Sequence, residues 1–210
     1  MLDSFPVFIT VFYRKPVIKS KSNRMTVFTP AIKLFTLHKL PWSDFNFPRW
    51  QAWAVIVVIG LLIGLDPAMR HGTPDMPAMP LLSALLCGLV STLAMIGIVI
   101  PFLKWWMMRG GRLDWQGNMF NLLATSFAVT DILGAGLVAL GVPLLLTLPI
   151  WIYSVWVGAN ALSGANPKVS LSYSICGIVL AAIPVMVATT VLMVVFRTVM
   201  GSMVLPMPFV

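Results

Sequence analysis

Between Asp114 and Lys168 the chain carries a single charged residue, Asp131, set among apolar and small residues. No other feature constrains the fold as strongly. The segment 121–161 within it is about twice as long as the ~20 apolar residues a helix needs to cross a bilayer. Composition points the same way, with 59% hydrophobic and 10% charged residues where a soluble domain carries about 25% charged. A water-facing surface would lack polar groups, so the expected fold is all-α, a polytopic transmembrane helix bundle solvated by lipid.

Five spans are expected, near 50–65, 81–103, 121–140, 144–161 and 171–196. The first is short, about 24 Å at 1.5 Å per residue. The second ends at Lys104-Trp105-Trp106, a basic and aromatic interface marker. Gly141-Val142-Pro143 is the natural turn between the third and fourth. The organisation is thus a basic N-terminal region 1–49, a transmembrane domain 50–197 and a short tail 198–210. With five spans one side receives the N-terminal region (eight Lys/Arg), the 104–118 loop (three) and the 162–170 loop (one). The other side receives only Arg70 and Arg197. This bias predicts a cytoplasmic N-terminus. A single crossing by 121–161 would leave the same imbalance, so five spans rest on length and on the Gly/Pro break.

In the N-terminal region the basic run from Arg14 to Arg24 follows a mildly apolar stretch, the reverse of a cleaved secretory signal. Met25 leaves open a start downstream of residues 1–24. Residues 31–40 suit a short helix lying at the membrane surface, although Lys33, His38 and Lys39 scatter around its axis. Interfacial anchoring is therefore expected from Trp42, Phe45, Phe47, Arg49 and Trp50.

The net charge of +8, from 14 Lys+Arg against six Asp, flanks apolar spans and suits anionic headgroups. No nucleic-acid partner is expected. Cys87 and Cys176 fall inside spans without a metal-ligand pattern and read as small buried hydrophobes. No cofactor and no metal are expected. His38 and His71 lie outside every span, no second carboxylate shares a span with Asp131, and no phosphate loop occurs. Serine-protease, aspartyl-dyad and nucleotide chemistry are therefore not expected.

A carboxylate near a bilayer midplane costs about 2.5–3.5 kcal/mol on insertion scales, so it usually faces a partner or a cavity. Asp131, Thr130 and Ser126 form the candidate intramembrane polar site. Three readings stand: a structural carboxylate bonded to Thr130, Ser126 or a neighbouring helix; a proton or cation relay; and a re-entrant or interfacial position. Gly60, Gly64, Gly134 and Gly177, each spaced by four from another small residue, are the candidate helix-packing positions.

The second half has a recognisable order: Arg109-Gly110-Gly111-Arg112, then Phe120-Asn121-Leu122-Leu123-Ala124-Thr125-Ser126-Phe127-Ala128, then a turn and the Trp-rich Leu148-Pro149-Ile150-Trp151-Ile152-Tyr153-Ser154-Val155-Trp156-Val157-Gly158-Ala159. A polar loop with Lys168 and a last span with Pro184 follow. Over about 50–197 this resembles the Yip domain family, five-span proteins whose eukaryotic members interact with Ypt/Rab GTPases. The resemblance implies five spans, a cytoplasmic N-terminus and no catalytic site. The family's Tyr-Ser then Pro of the third span is replaced here by Ser126-Phe127 and Thr130-Asp131, and the N-terminal region lacks a long acidic, aromatic tail. Rab-type GTPase binding is not carried over. The expectation is a non-enzymatic Yip-like protein of a bacterial-type inner membrane. It would organise lipid or form homo- or hetero-oligomers through small-residue helix faces. The rival is a small transporter or permease subunit using Asp131.

Overall fold

The computed structural model describes residues 26–71, 78–112 and 117–203. The basic run Arg14–Arg24, Met25 and residues 204–210 lie outside the described residues. Among the described residues the chain is entirely helical: α1 (Phe28–Phe35), α2 (Arg49–Gly64), α3 (Pro67–Arg70), α4 (Leu81–Arg109), α5 (Met119–Ala139), α6 (Leu144–Ala165) and α7 (Leu171–Met203), with a 3-10 turn at Trp42–Phe45. Four of these, α4 to α7, are long and apolar enough to cross a membrane. The fifth, α2, is apolar but has 16 residues, so it falls short of a ~30 Å hydrocarbon core at 1.5 Å per residue. Five apolar helices therefore stand where five spans are expected. By the length and apolarity of its helices, this is an integral membrane protein.

The boundaries follow local chemistry. Gly141 adopts φ +89 in the turn between α5 and α6, a conformation in which a side chain would be strained. Pro143 then caps α6, since a proline suits a helix start and cannot continue one. The second span runs past Leu103 to Arg109 and the last past Phe196 to Met203, so the polar loops and tail are shorter than expected. Pro101, Pro149 and Pro184 sit inside α4, α6 and α7, each removing one backbone bond that neighbouring groups in a bundle must replace.

The apolar helices close a ring in which α2 packs on α4, α4 on α7, α7 on α6, α6 on α5, and α5 back on α2. The largest core cluster lies toward the end that carries Arg49, Lys104 and Lys168. It joins Leu103 and Met107 of α4, Leu122 and Leu123 of α5, Val157 and Leu162 of α6, and Ile178 of α7. A smaller cluster of Met69, Met79, Ala84 and Cys87 fills the opposite end, where Arg197 Nη2 donates to Ala68 O at 2.9 Å. Of the four long helices α5 is the most enclosed and α7 the least.

Close helix approach is concentrated at glycines. A Cβ on Gly60 would meet Leu89 Cα at 2.9 Å and one on Gly64 would meet Leu85 Cα at 2.5 Å, so α2 and α4 touch backbone to backbone. A Cβ on Gly134 would reach the Trp151 ring of α6 at 3.2 Å, and one on Gly177 the Trp106 ring of α4 at 2.7 Å. All four candidate packing glycines therefore face neighbours within this chain.

The segment before α2 departs from the surface-helix expectation. The α1 helix packs on α5 and α6, with Pro30, Ala31 and Leu34 buried. Tyr153 Oη donates to Phe35 O, Asn160 Nδ2 donates to His38 O at 3.3 Å, and the Val27 amide donates to Gln51 Oε1 at 2.8 Å. Phe45 and Phe47 are buried in the core and cannot serve as membrane anchors, whereas Trp50 is exposed. The reason is that α5 and α6 offer α1 apolar contacts together with the Tyr153 and Asn160 donors, which satisfy backbone carbonyls at its end. Cys176 is likewise exposed on α7, not buried like Cys87.

The end of α1 is a Schellman turn, with Leu37 N donating to Leu34 O at 2.8 Å and His38 N to Lys33 O at 2.9 Å. The left-handed position of this turn usually holds glycine, but here it holds Leu37 at φ 62. A left-handed L-residue costs about 1–2 kcal/mol. Leu37→Gly is accordingly expected to stabilise the protein by about 1 kcal/mol, after the entropy cost of glycine. Chemical denaturation in detergent checks this, and a loss of stability in the variant would show that the Leu37 side chain contributes packing that outweighs the strain.

Candidate functional site

The α5 helix buries an unusual set of polar side chains. Asn121, Thr125, Ser126, Thr130 and Asp131 are all buried, although the helix is apolar enough to cross a bilayer. Most of these groups are satisfied locally. Thr125 Oγ1 donates to Asn121 O at 2.6 Å and Ser126 Oγ to Leu123 O at 2.9 Å. Such bonds to carbonyls three and four residues back let hydroxyls sit in apolar surroundings without an outside partner.

Asp131 is different because its partner comes from another helix. Ser154 Oγ of α6 donates to Asp131 Oδ1 at 3.0 Å. Thr130 Oγ1 lies 3.3 Å from the same oxygen and also 3.4 Å from Phe127 O. Both Asp131 and Ser154 sit near the middle of their helices. The contacts beside them follow an antiparallel register, Phe127 against Gly158 on one side and Gly134 against Trp151 on the other. One turn further, Trp151 Nε1 donates to Thr147 Oγ1 at 3.2 Å, and that hydroxyl donates to Leu144 O at 2.9 Å. The α5–α6 seam thus carries a short run of polar contacts sealed by an aromatic ring.

Of the three candidate polar residues, the structure brings Thr130 and Asp131 together, while Ser126 bonds only within its own helix. Sequence reasoning missed Ser154 as the partner. The only signal was its place in the Trp-rich span, since nothing in a uniformly apolar helix marks which serine faces a distant carboxylate. Asp131 lies in the body of α5, so the re-entrant reading does not describe it. The cavities between Arg49 and Phe120, between Ile63 and Met193, and beside α1 are lined by residues other than Asp131. Among the described residues no three His, Cys, Asp or Glu side chains gather to hold a metal.

A second buried polar group lies one end of α5 away. Asn121 Nδ2 donates to both Phe45 O at 2.9 Å and Phe47 O at 2.8 Å, pinning the segment before α2 onto the bundle. Asn166 plays a comparable role between α6 and α7, donating to Arg112 O at 2.6 Å and accepting from the Lys168 amide at 3.1 Å. Beside it Tyr173 and Trp106 stack at 5.1 Å, with Tyr173 Oη donating to Trp106 O at 2.6 Å. Polar side chains here mostly fasten backbone to backbone.

No family model, curated protein or solved structure matches this chain.

Proposed function

We propose that this is a non-enzymatic membrane protein of the Yip-like type, one that organises the bilayer or assembles with partner membrane proteins in a bacterial-type inner membrane. Its N-terminus lies in the cytoplasm, a reading supported by the Lys/Arg imbalance between the loops. The observation that carries the proposal is the Asp131–Ser154 tie, a carboxylate engaged by a neighbouring helix at 3.0 Å and buried in a seam. A carrier site would instead want its carboxylate on a polar path open to ions.

Partner contacts would use surfaces the ring leaves outward. Ile183, Met186 and Val187 on α7 and Leu145 and Leu146 on α6 are exposed. The candidate glycines already face α4 and α6 inside the chain.

The test is reconstitution of the purified chain in liposomes, comparing native protein with Asp131→Asn for proton and cation flux. No flux is expected from either, and the variant should fold with a loss of about 1 kcal/mol or less, because an amide oxygen still accepts from Ser154. Flux in the native protein that vanishes in Asp131→Asn would overturn the proposal and identify a transporter.

A further inference from the structure

Methionine is concentrated at the α3 end of the ring. Seven of the chain's 14 methionines fall within 66–80 and 193–207, one-seventh of its length. The fold brings the two segments together, since Arg197 Nη2 of α7 donates to Ala68 O of α3 at 2.9 Å. Met69 and Met79 are buried there in one cluster with Cys87, and Met193 packs against it.

Methionine fills irregular core gaps well, so a cluster alone would be packing. This one adjoins a cavity of about 320 Å³, whose wall includes Met69 of α3, Met95 of α4 and Met193 of α7. Met69 and Met193 belong both to the cluster and to the wall. Thioethers from three separate helices therefore line one space that reaches the middle of α4. Thr92 and Thr189 line it too. Their hydroxyl protons go to Gly88 O and Val185 O, each at 2.9 Å, which leaves oxygen lone pairs. Among the described lining residues, none has to lose a proton before it can bind a cation.

The donor type selects the ion. Hard cations such as Mg(II) and Ca(II) prefer carboxylate, carbonyl and water oxygens, whereas soft thioether sulfur selects Cu(I). A single charge also costs less to bring out of water than a double one. Methionine has three rotatable bonds, so sulfurs on three helices can close on an ion in a cavity of this size.

We propose that Met69, Met95 and Met193 form a Cu(I)-binding site in this cavity, each supplying one thioether sulfur. The inference goes beyond the bilayer-organising reading and takes from it only the membrane setting.

The experiment titrates the purified full chain in neutral detergent, without oxygen, with Cu(I) held by a chromophoric chelator. The native chain is expected to withdraw one Cu(I) from the chelator, and to keep doing so with both thiols removed by Cys87→Ala/Cys176→Ala. Met69→Leu/Met193→Leu, a volume-conserving exchange that cores tolerate, should abolish the withdrawal. Met107→Leu/Met119→Leu is the control, because both residues are buried in the cluster at the basic end, and it should bind as the native chain does. No withdrawal by the native chain would overturn the proposal, as would an equal loss in the control. Binding that disappears with the cysteines and survives Met69→Leu/Met193→Leu would assign the ion to thiols and overturn it as well. Should the methionine variant melt early, the native chain decides through its pH profile. A thioether carries no proton to displace, so affinity corrected for the chelator should be flat, whereas affinity that tightens as pH rises would mark thiol or imidazole ligands and overturn the site.

Discussion

Gly88→Ala is expected to destabilise the protein by about 3 kcal/mol or more, although alanine is the better helix former by about 1 kcal/mol. A Cβ at Gly88 would meet Gly60 O, and would stand 2.5 Å from Gly64 N and 2.9 Å from Gly64 Cα. These are backbone atoms, so no rotamer change relieves the overlap and α2 must move away from α4. Overpacking a well-fitted site already costs about 1–3 kcal/mol when side chains can adjust. Separation also forfeits the dispersion contacts that hold helices together where lipid supplies no hydrophobic drive between them. Gly97, on the same helix, has nothing within 4 Å of an added Cβ, so Gly97→Ala should be neutral or stabilising by up to about 1 kcal/mol. Denaturation of both variants in the same detergent is the check. Equal behaviour of the two would mean that the α2–α4 crossing is looser than the backbone contacts imply.

Asn121→Leu should have the next largest effect, about 2 kcal/mol. It removes both donors to Phe45 O and Phe47 O, and each buried carbonyl left without a partner costs about 1–3 kcal/mol. Part of that loss is returned, because the Asn121 Oδ1 atom is itself buried without a hydrogen-bond partner among the described residues and leucine removes it. Two orphaned carbonyls against one relieved oxygen leave a net loss. Asn121→Asp should also destabilise, since a carboxyl, even when protonated, offers one donor to two carbonyl oxygens. The damage should be local: the segment before α2 loosens first, and trypsin cleavage at Lys33 and Lys39 should rise. A global loss with unchanged cleavage at those lysines would show that Asn121 supports α5 and not the segment.

Element type and approximate position were legible in the sequence because lipid imposes them. A helix must be about 20 apolar residues long to cross, so the apolar runs lie close to the observed α2 and α4–α7. The Gly141–Pro143 break was legible for an equally local reason, a backbone conformation and a missing donor. Asp131 was legible as an anomaly, since a charge in such a run stands out whatever surrounds it.

Which faces meet was decided only in the tertiary structure. In water, a polar stripe tells which side of a helix is outside, but a helix solvated by lipid carries no such stripe on its outer side. Ser154 and Asp131 are one serine and one carboxylate among many residues until the α5–α6 register sets them 3.0 Å apart. The glycines carried a correct signal for close packing, yet their spacing could not distinguish a neighbour within the chain from a second copy, and the ring supplies the neighbours itself. The same holds for Phe45 and Phe47, which read as membrane anchors by type and are buried because Asn121 draws their carbonyls inward. The sequence alone determined that the long apolar runs are helices and where α5 turns into α6, through solvation and backbone chemistry. It did not determine the ends of α4 and α7, which run on to Arg109 and Met203. The partners of the helices depended on contacts between residues far apart in the chain, which only the assembled bundle brings within reach.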